Sequence, residues 1–128
     1  MVIMVIQTRW ANRFVDLYRE PQPLPDDSEL PHVGVIMSLR GADPYLEESL
    51  KGLVLLDYPS HEIRIVVDSE VDPAYEIVQR VLKEHNATHA EVEILELCQE
   101  TSSLKNSALI QGIGGCSDKC EAYAWLDS

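Results

Sequence analysis

The stretch EIRIVVDSEVDPA, residues 62–74, decides how the rest of the chain is read. Ile63, Ile65, Val66 and Val67 make a short apolar run of β-branched side chains, which suits a strand covered on both faces inside a parallel sheet. Asp68, Ser69, Glu70 and Asp72 follow where that strand would stop. In open α/β sheets ligands bind outside the carboxyl ends of strands, so carboxylates placed there are candidates for touching a base, a sugar or a metal-bound phosphate. A solvated acidic turn is the plainer reading of the same residues, because charged side chains are mostly exposed. Asp72-Pro73 then opens a helix: Asp is a preferred N-cap and Pro fits the first helical position.

Downstream, Ala74, Ile77, Val78, Val81 and Leu82 fall on one helical face that runs to about His85. After a loop at 86–90, VEILEL at 92–97 alternates apolar and acidic residues, as a strand near a sheet edge does. Thr101, Ser102 and Ser103 offer caps for a third helix through Ile110, which Gly112, Gly114 and Gly115 are expected to break. AYAWLD, residues 122–127, is a fourth strand. Upstream, VGVIMS at 33–38 reads as the first strand, and Asp43-Pro44 repeats the helix-starting pair. Leu46, Leu50, Leu53 and Val54 form the stripe of that first helix. The order βαβαβαβ predicts a Rossmann-like α/β fold, a parallel sheet with right-handed crossovers and helices on both faces. All four strand ends then share one edge, where residues 38–43, 68–72, 98–103 and 127–128 gather.

Ahead of this domain, residues 1–20 space Ile3, Ile6, Trp10, Phe14, Leu17 and Tyr18 as an amphipathic helix bearing Arg9, Arg13 and Arg19. That face fits either a membrane interface or packing against protein, and both readings stay open. Residues 21–31, rich in proline and acid, read as an extended linker, so the α/β domain occupies residues 32–128. A chain of 128 residues is one domain at most, and a net charge of −12 argues against nucleic acid as a partner. Cys98, Cys116 and Cys120 are too few for a secreted disulfide framework, which points to a reducing, cytoplasmic compartment. The spacing CSDKC lacks a second pair of ligands, so the sequence argues against zinc there, a closed zinc site wanting four. No apolar run approaches the roughly 20 residues of a membrane span.

Three blocks carry a resemblance: PHVGVIMSLRGADPYLEESLKGLVLLDYPSHEIRIVVDSEVDPA, then LKNSALIQGI, then AYAWLDS. Over residues 31–128 the chain resembles the nucleotide-sugar-binding half of family 2 glycosyltransferases with the GT-A fold. SLRGADP followed by DPA is most similar to the ceramide glucosyltransferase-type branch. The resemblance implies transfer of a sugar from a nucleotide-diphosphate donor, a UDP-sugar, to an acceptor that is often a lipid, at a membrane surface, and the expected location is cytoplasmic or the cytoplasmic face of a membrane. It implies that Ser38, Arg40 and Gly41 line the nucleotide pocket and that Asp68 meets the base or ribose. In the ceramide-type branch the key acid aligns with Ser69, so either Asp68 substitutes or that contact is weakened. Lys105 matches a lysine that would offset donor phosphate charge, against the alternative of a solvated helix lysine. Asp127 corresponds to the acid of the family's DxD-like motif and implies Mg²⁺ or Mn²⁺, which takes one or two carboxylates plus substrate phosphates.

The resemblance also implies that the acceptor half and the catalytic base follow the fourth strand, so the domain is expected to be incomplete at its C-terminus and to show little transfer alone. The alternative is a truncated, non-catalytic binding or interaction module. A phosphoacceptor receiver needs acids after the first strand, where Ser38-Leu39-Arg40 stand instead. A dinucleotide fold needs its glycine motif between strand and helix, whereas GIGG at 112–115 follows a helix.

Overall fold

The computed structural model describes Arg13, residues 25–97 and residues 100–126. The amphipathic stretch expected at 1–20 lies outside the described residues apart from Arg13, as do Cys98, Asp127 and Ser128. After a single 3-10 turn at Asp27–Glu29 that buries nothing, the chain alternates strand and helix: β1 Val33–Leu39, α1 Leu46–Val54, β2 His61–Val67, α2 Pro73–Glu84, β3 Ala90–Ile94, α3 Leu104–Gly115 and β4 Ala122–Leu126. The four strands form one parallel sheet in the order β3-β2-β1-β4. This is the Rossmann-like α/β fold that the strand and helix pattern predicts.

Burial follows the pleat. Val35, Met37 and Leu39 of β1 join Ile63, Ile65 and Val67 of β2 in one core with Leu46, Leu50, Leu53 and Val54 of α1 and Ala74, Val78 and Val81 of α2. The alternate residues Ile36 and Val66 are buried on the other face, where α3 lies. Such strands, apolar on both faces, are what helices on both sides of a parallel sheet require. The sheet grows from β1 through β2 to β3 with α1 and α2 on one face. Returning from β3 to β4 beyond β1 reverses the direction, so a crossover of the same hand places α3 on the opposite face. The reversal makes the carboxyl ends of β1 and β4 a topological switch point, the place where ligands bind in such sheets.

Three boundaries differ from the sequence reading, each because of a contact distant in the chain or a turn. The first helix begins at Leu46 rather than beside Asp43. Asp43 instead closes a turn, its Oδ1 accepting the Tyr45 N–H at 2.8 Å and its carbonyl the Leu46 N–H at 3.0 Å. The third strand spans Ala90–Ile94 rather than 92–97. Leu95 still donates to the Val67 carbonyl at 2.8 Å, but the Glu96 and Leu97 N–H groups are taken by Gln111 Oε1 of α3 at 2.8 and 3.0 Å, which peels the chain off the sheet. β3 is an edge strand, as its alternation suggests.

The third correction concerns the glycines. α3 runs through Gly112, Gly114 and Gly115 without breaking. A Cβ at Gly112 would fall 2.6 Å from Ile36 Cγ2, and one at Gly115 would fall 2.7 Å from Glu93 Oε1. These two residues are small because the helix lies close on the sheet.

Candidate functional site

The carboxyl edge of β1 and β2 is organised by two carboxylates. In the parallel register Leu39 lies opposite Val67, so Arg40 and Asp68 leave their strands side by side, with the Asp68 N–H donating to the Leu39 carbonyl at 3.3 Å. Arg40 Nε lies 3.2 Å from Asp68 Oδ2. The arginine side chain is 76 % exposed and the aspartate 26 %, so the pair stands at the surface with its anion partly sheltered. Ion pairs this exposed contribute about 0–1 kcal/mol to stability, which leaves both groups cheap to redirect toward a ligand.

Asp72 holds the neighbouring loop. As the N-cap of α2 it accepts the Ala74 N–H at 2.8 Å, and Pro73 occupies the first helical turn. Its two carboxylate oxygens also accept the Gly41 N–H, at 3.1 and 2.9 Å. Gly41 has φ of 79°, in the left-handed region where glycine carries no Cβ penalty. The loop after β1 is therefore fastened to the start of α2, and Arg40 is presented from a fixed turn. Leu39, Arg40, Gly41, Ala42, Asp43 and Leu46 line an open depression of about 300 Å³ beside it.

The remaining expected site residues are placed as follows. Ser38 is half-buried in β1 opposite Val66, one residue before the exposed end of the strand. Lys105 is exposed in the first turn of α3. Because α3 follows a parallel strand, that turn belongs to the same carboxyl side of the sheet. The α3 start is capped by Ser103 Oγ, which accepts the Asn106 N–H at 3.2 Å, while fully buried Ser107 shares a 3.1 Å hydroxyl contact with Ser102. Asp127 lies outside the described residues; Leu126, which precedes it, pairs with Met37 of β1. Ser38, Arg40, Gly41 and Asp68 thus converge at the ends of β1 and β2. Asp72, read from sequence as a helix cap within the acidic cluster, is the residue that binds the two loops together. Its Gly41 contact spans 31 positions and has no local signature.

As cation ligands the described carboxylates here are a poor set. Asp72 spends both oxygens on backbone N–H groups, and Asp68 already faces a guanidinium. A hard divalent ion at this edge would need a further acid.

The family model for Glycosyl transferase family 21 matches residues 1–114 of the chain. The chain belongs to glycosyl transferase family 21. Among its curated relatives, a ceramide glucosyltransferase of Pyricularia oryzae is 28 % identical over 96 residues, covering 70 % of this chain and 19 % of the relative. Ceramide glucosyltransferase 1 of Caenorhabditis elegans is 32 % identical over 79 residues, covering 62 % of this chain and 17 % of the relative. The chain therefore spans about a fifth of the length of the curated relatives it matches. Among solved structures, a mannosyltransferase from Pyrobaculum calidifontis in complex with GDP-Man and Mn²⁺ superposes with a TM-score of 0.64 at 22 % identity, covering 88 % of this chain and 32 % of that one. That likeness establishes a shared fold, in agreement with the GT-A class, and the ceramide glucosyltransferase relatives agree with the branch to which SLRGADP and DPA point.

Proposed function

We propose that the carboxyl edge formed by β1 and β2 is the sugar-nucleotide donor site of a family 21 glycosyltransferase, taking a UDP-sugar whose sugar passes to a lipid acceptor in the whole enzyme. The observation that carries this reading is the Arg40–Asp68 pair, 3.2 Å apart on a loop that Asp72 ties down through Gly41, beside the switch point of the sheet. Asp68 offers a carboxylate to the donor amide or hydroxyl groups of a base or ribose, and contacts to a charged partner are among the stronger hydrogen bonds. Arg40, released from Asp68 by that exchange, swings its guanidinium toward the diphosphate. Ser38 and Gly41 bound the pocket, and Lys105 adds a second positive charge from the start of α3. Asp127 is the proposed ligand of Mg²⁺ or Mn²⁺. When bound, that ion absorbs the negative charge developing on the diphosphate as the sugar bond breaks.

A membrane-surface role for residues 1–20, on the cytoplasmic face, belongs to the same proposal and is supported by the amphipathic spacing and arginines of that stretch. Among the described residues no helix is long and apolar enough to cross a membrane. Thermal unfolding tests the donor site. A UDP-sugar at about 100 times its Kd stabilises the chain by about 2.7 kcal/mol, raising the melting temperature by several degrees. A shift that is absent at millimolar donor and Mn²⁺, or unchanged when Arg40 and Asp68 are both replaced by Ala, rejects it.

A further inference from the structure

At the opposite, amino-terminal edge of the sheet stands a second cluster of metal-ligating side chains. His32 precedes β1, Glu62 is the second residue of β2, and Cys120 lies just before β4. Because β1 sits between β2 and β4, these three are neighbours in space, and their ligand atoms all lie within 4.8 Å of one another. Cys116, the C-cap of α3, lies outside that group of three: its Sγ donates to the Gly112 carbonyl at 3.4 Å, in space that a Cβ on Gly34 would enter to within 2.9 Å, so the thiol must turn from Gly112 to complete a set of four. We propose that His32, Glu62, Cys116 and Cys120 form a zinc-binding site that clamps the α3–β4 connection onto the start of β1 and β2.

The donor set fits a borderline-soft ion. One imidazole, one carboxylate and two thiols make four ligands, and CSDKC is a C-x3-C spacing within the range of structural zinc sites. The sequence alone offers half of this set; the fold supplies the other half from residues 32 and 62. Mg²⁺ and Mn²⁺ prefer oxygen, so this set separates the site chemically from the donor edge, roughly 20 Å away along a seven-residue strand.

Outer contacts already orient the ligands. His32 Nδ1 meets Ser60 Oγ at 2.7 Å, which turns Nε2 toward Glu62 Oε2 at 3.4 Å. About 3.4 Å is the separation of two ligands each ~2.1 Å from one tetrahedral ion. The other Glu62 oxygen accepts the Ser117 N–H at 2.7 Å and lies 3.8 Å from Arg64 Nε, so Oε2 is the one left for a cation. Ligand-orienting partners of this kind accompany metal-bound His and carboxylate side chains. The backbone is drawn in as well. Glu121 N–H donates to the His32 carbonyl at 2.9 Å, and Cys120 N–H to the Ser117 carbonyl at 3.1 Å.

The test uses the reduced full chain and zinc alone, measured by competition with a chromophoric chelator. One equivalent of zinc should bind, Cys120→Ser and His32→Ala should each weaken it at least tenfold, and Asp68→Ala at the other edge should leave it unchanged. Cobalt in place of zinc on the unaltered chain should give thiolate charge-transfer and tetrahedral d–d bands, a readout that depends on no variant folding. The proposal fails if the reduced chain binds no zinc at micromolar concentration, or if Cys120→Ser and His32→Ala bind it as the unaltered chain does. It also fails if cobalt shows only octahedral oxygen coordination, or if Cys116 and Cys120 are found joined as a disulfide with reductant present.

Discussion

Asp72 concentrates two jobs in one side chain, capping α2 through Ala74 and holding Gly41 across 31 residues. Asp72→Ala should cost about 1–3 kcal/mol, a lost cap plus a lost charged hydrogen bond, measured by urea unfolding. Asp72→Asn, itself a good cap, should recover most of that stability. Arg40→Ala should move stability by less than about 0.5 kcal/mol, because its ion pair is exposed, yet weaken UDP-sugar binding about tenfold in a titration. Glu62 links folding to pH. Burial raises the pKa of Glu62, but hydrogen bonds from the Ser117 N–H, His32 and Cys116 outweigh it and hold the carboxyl at about 2. A depressed folded pKa contributes stability above the ordinary carboxyl value near 4.5 and loses it as pH falls toward 2. The stability gap between the chain and Glu62→Gln, on the order of 1–2 kcal/mol at neutral pH, should therefore close between about pH 4.5 and 2. A gap that persists at pH 2 would remove the carboxylate as its source.

At the scale of elements, α3 is the test piece. Gly112→Ala drives a Cβ against the buried Ile36 side chain and should destabilise the fold by about 1–3 kcal/mol. Gly114→Ala, with nothing within 4 Å, should be neutral or stabilising by up to about 1 kcal/mol, since Ala is the better helix former. Melting temperatures of the two variants check this contrast. The same helix marks where sequence reading succeeds and where it stops. A cap among Thr101, Ser102 and Ser103, which the structure places at Ser103, the cap at Asp72 and the apolar stripes of α1 and α2 were legible because each depends on residues a few positions apart. The passage of α3 through three glycines was not, because Gly112 answers to Ile36 and Gly115 to Glu93, both on strands. The early end of β3 was hidden for a like reason: Gln111 captures its last N–H groups from 14 and 15 residues away.

For the whole molecule, the element order βαβαβαβ carried the fold, and the reversal of strand order at β4 marks the switch point beside which the donor site is proposed. At the ends of β1 and β2 the position of Asp68 just past a strand was legible in the sequence and Arg40 and Gly41 were named through the family resemblance, whereas the clamp between the two loops emerged only in three dimensions. The acidic stretch at 68–72 divides in the structure: Asp72 holds Gly41 and Ala74, and Asp68 faces Arg40, the pair on which the proposed donor site rests. β4 is the far edge of the sheet, and Trp125 on it is 66 % exposed. An apolar strand edge of this kind favours association, so the chain should sediment as larger species with rising concentration, and Trp125→Glu should reduce them. Calorimetric titration of a UDP-sugar into the folded chain tests the donor site most directly. With Mn²⁺ present the heat should be saturable, vanish when the ion is chelated, and weaken at least tenfold in Asp68→Ala. Silence from a chain that circular dichroism shows to be folded, or an affinity indifferent to Asp68, would contradict a donor site at this edge.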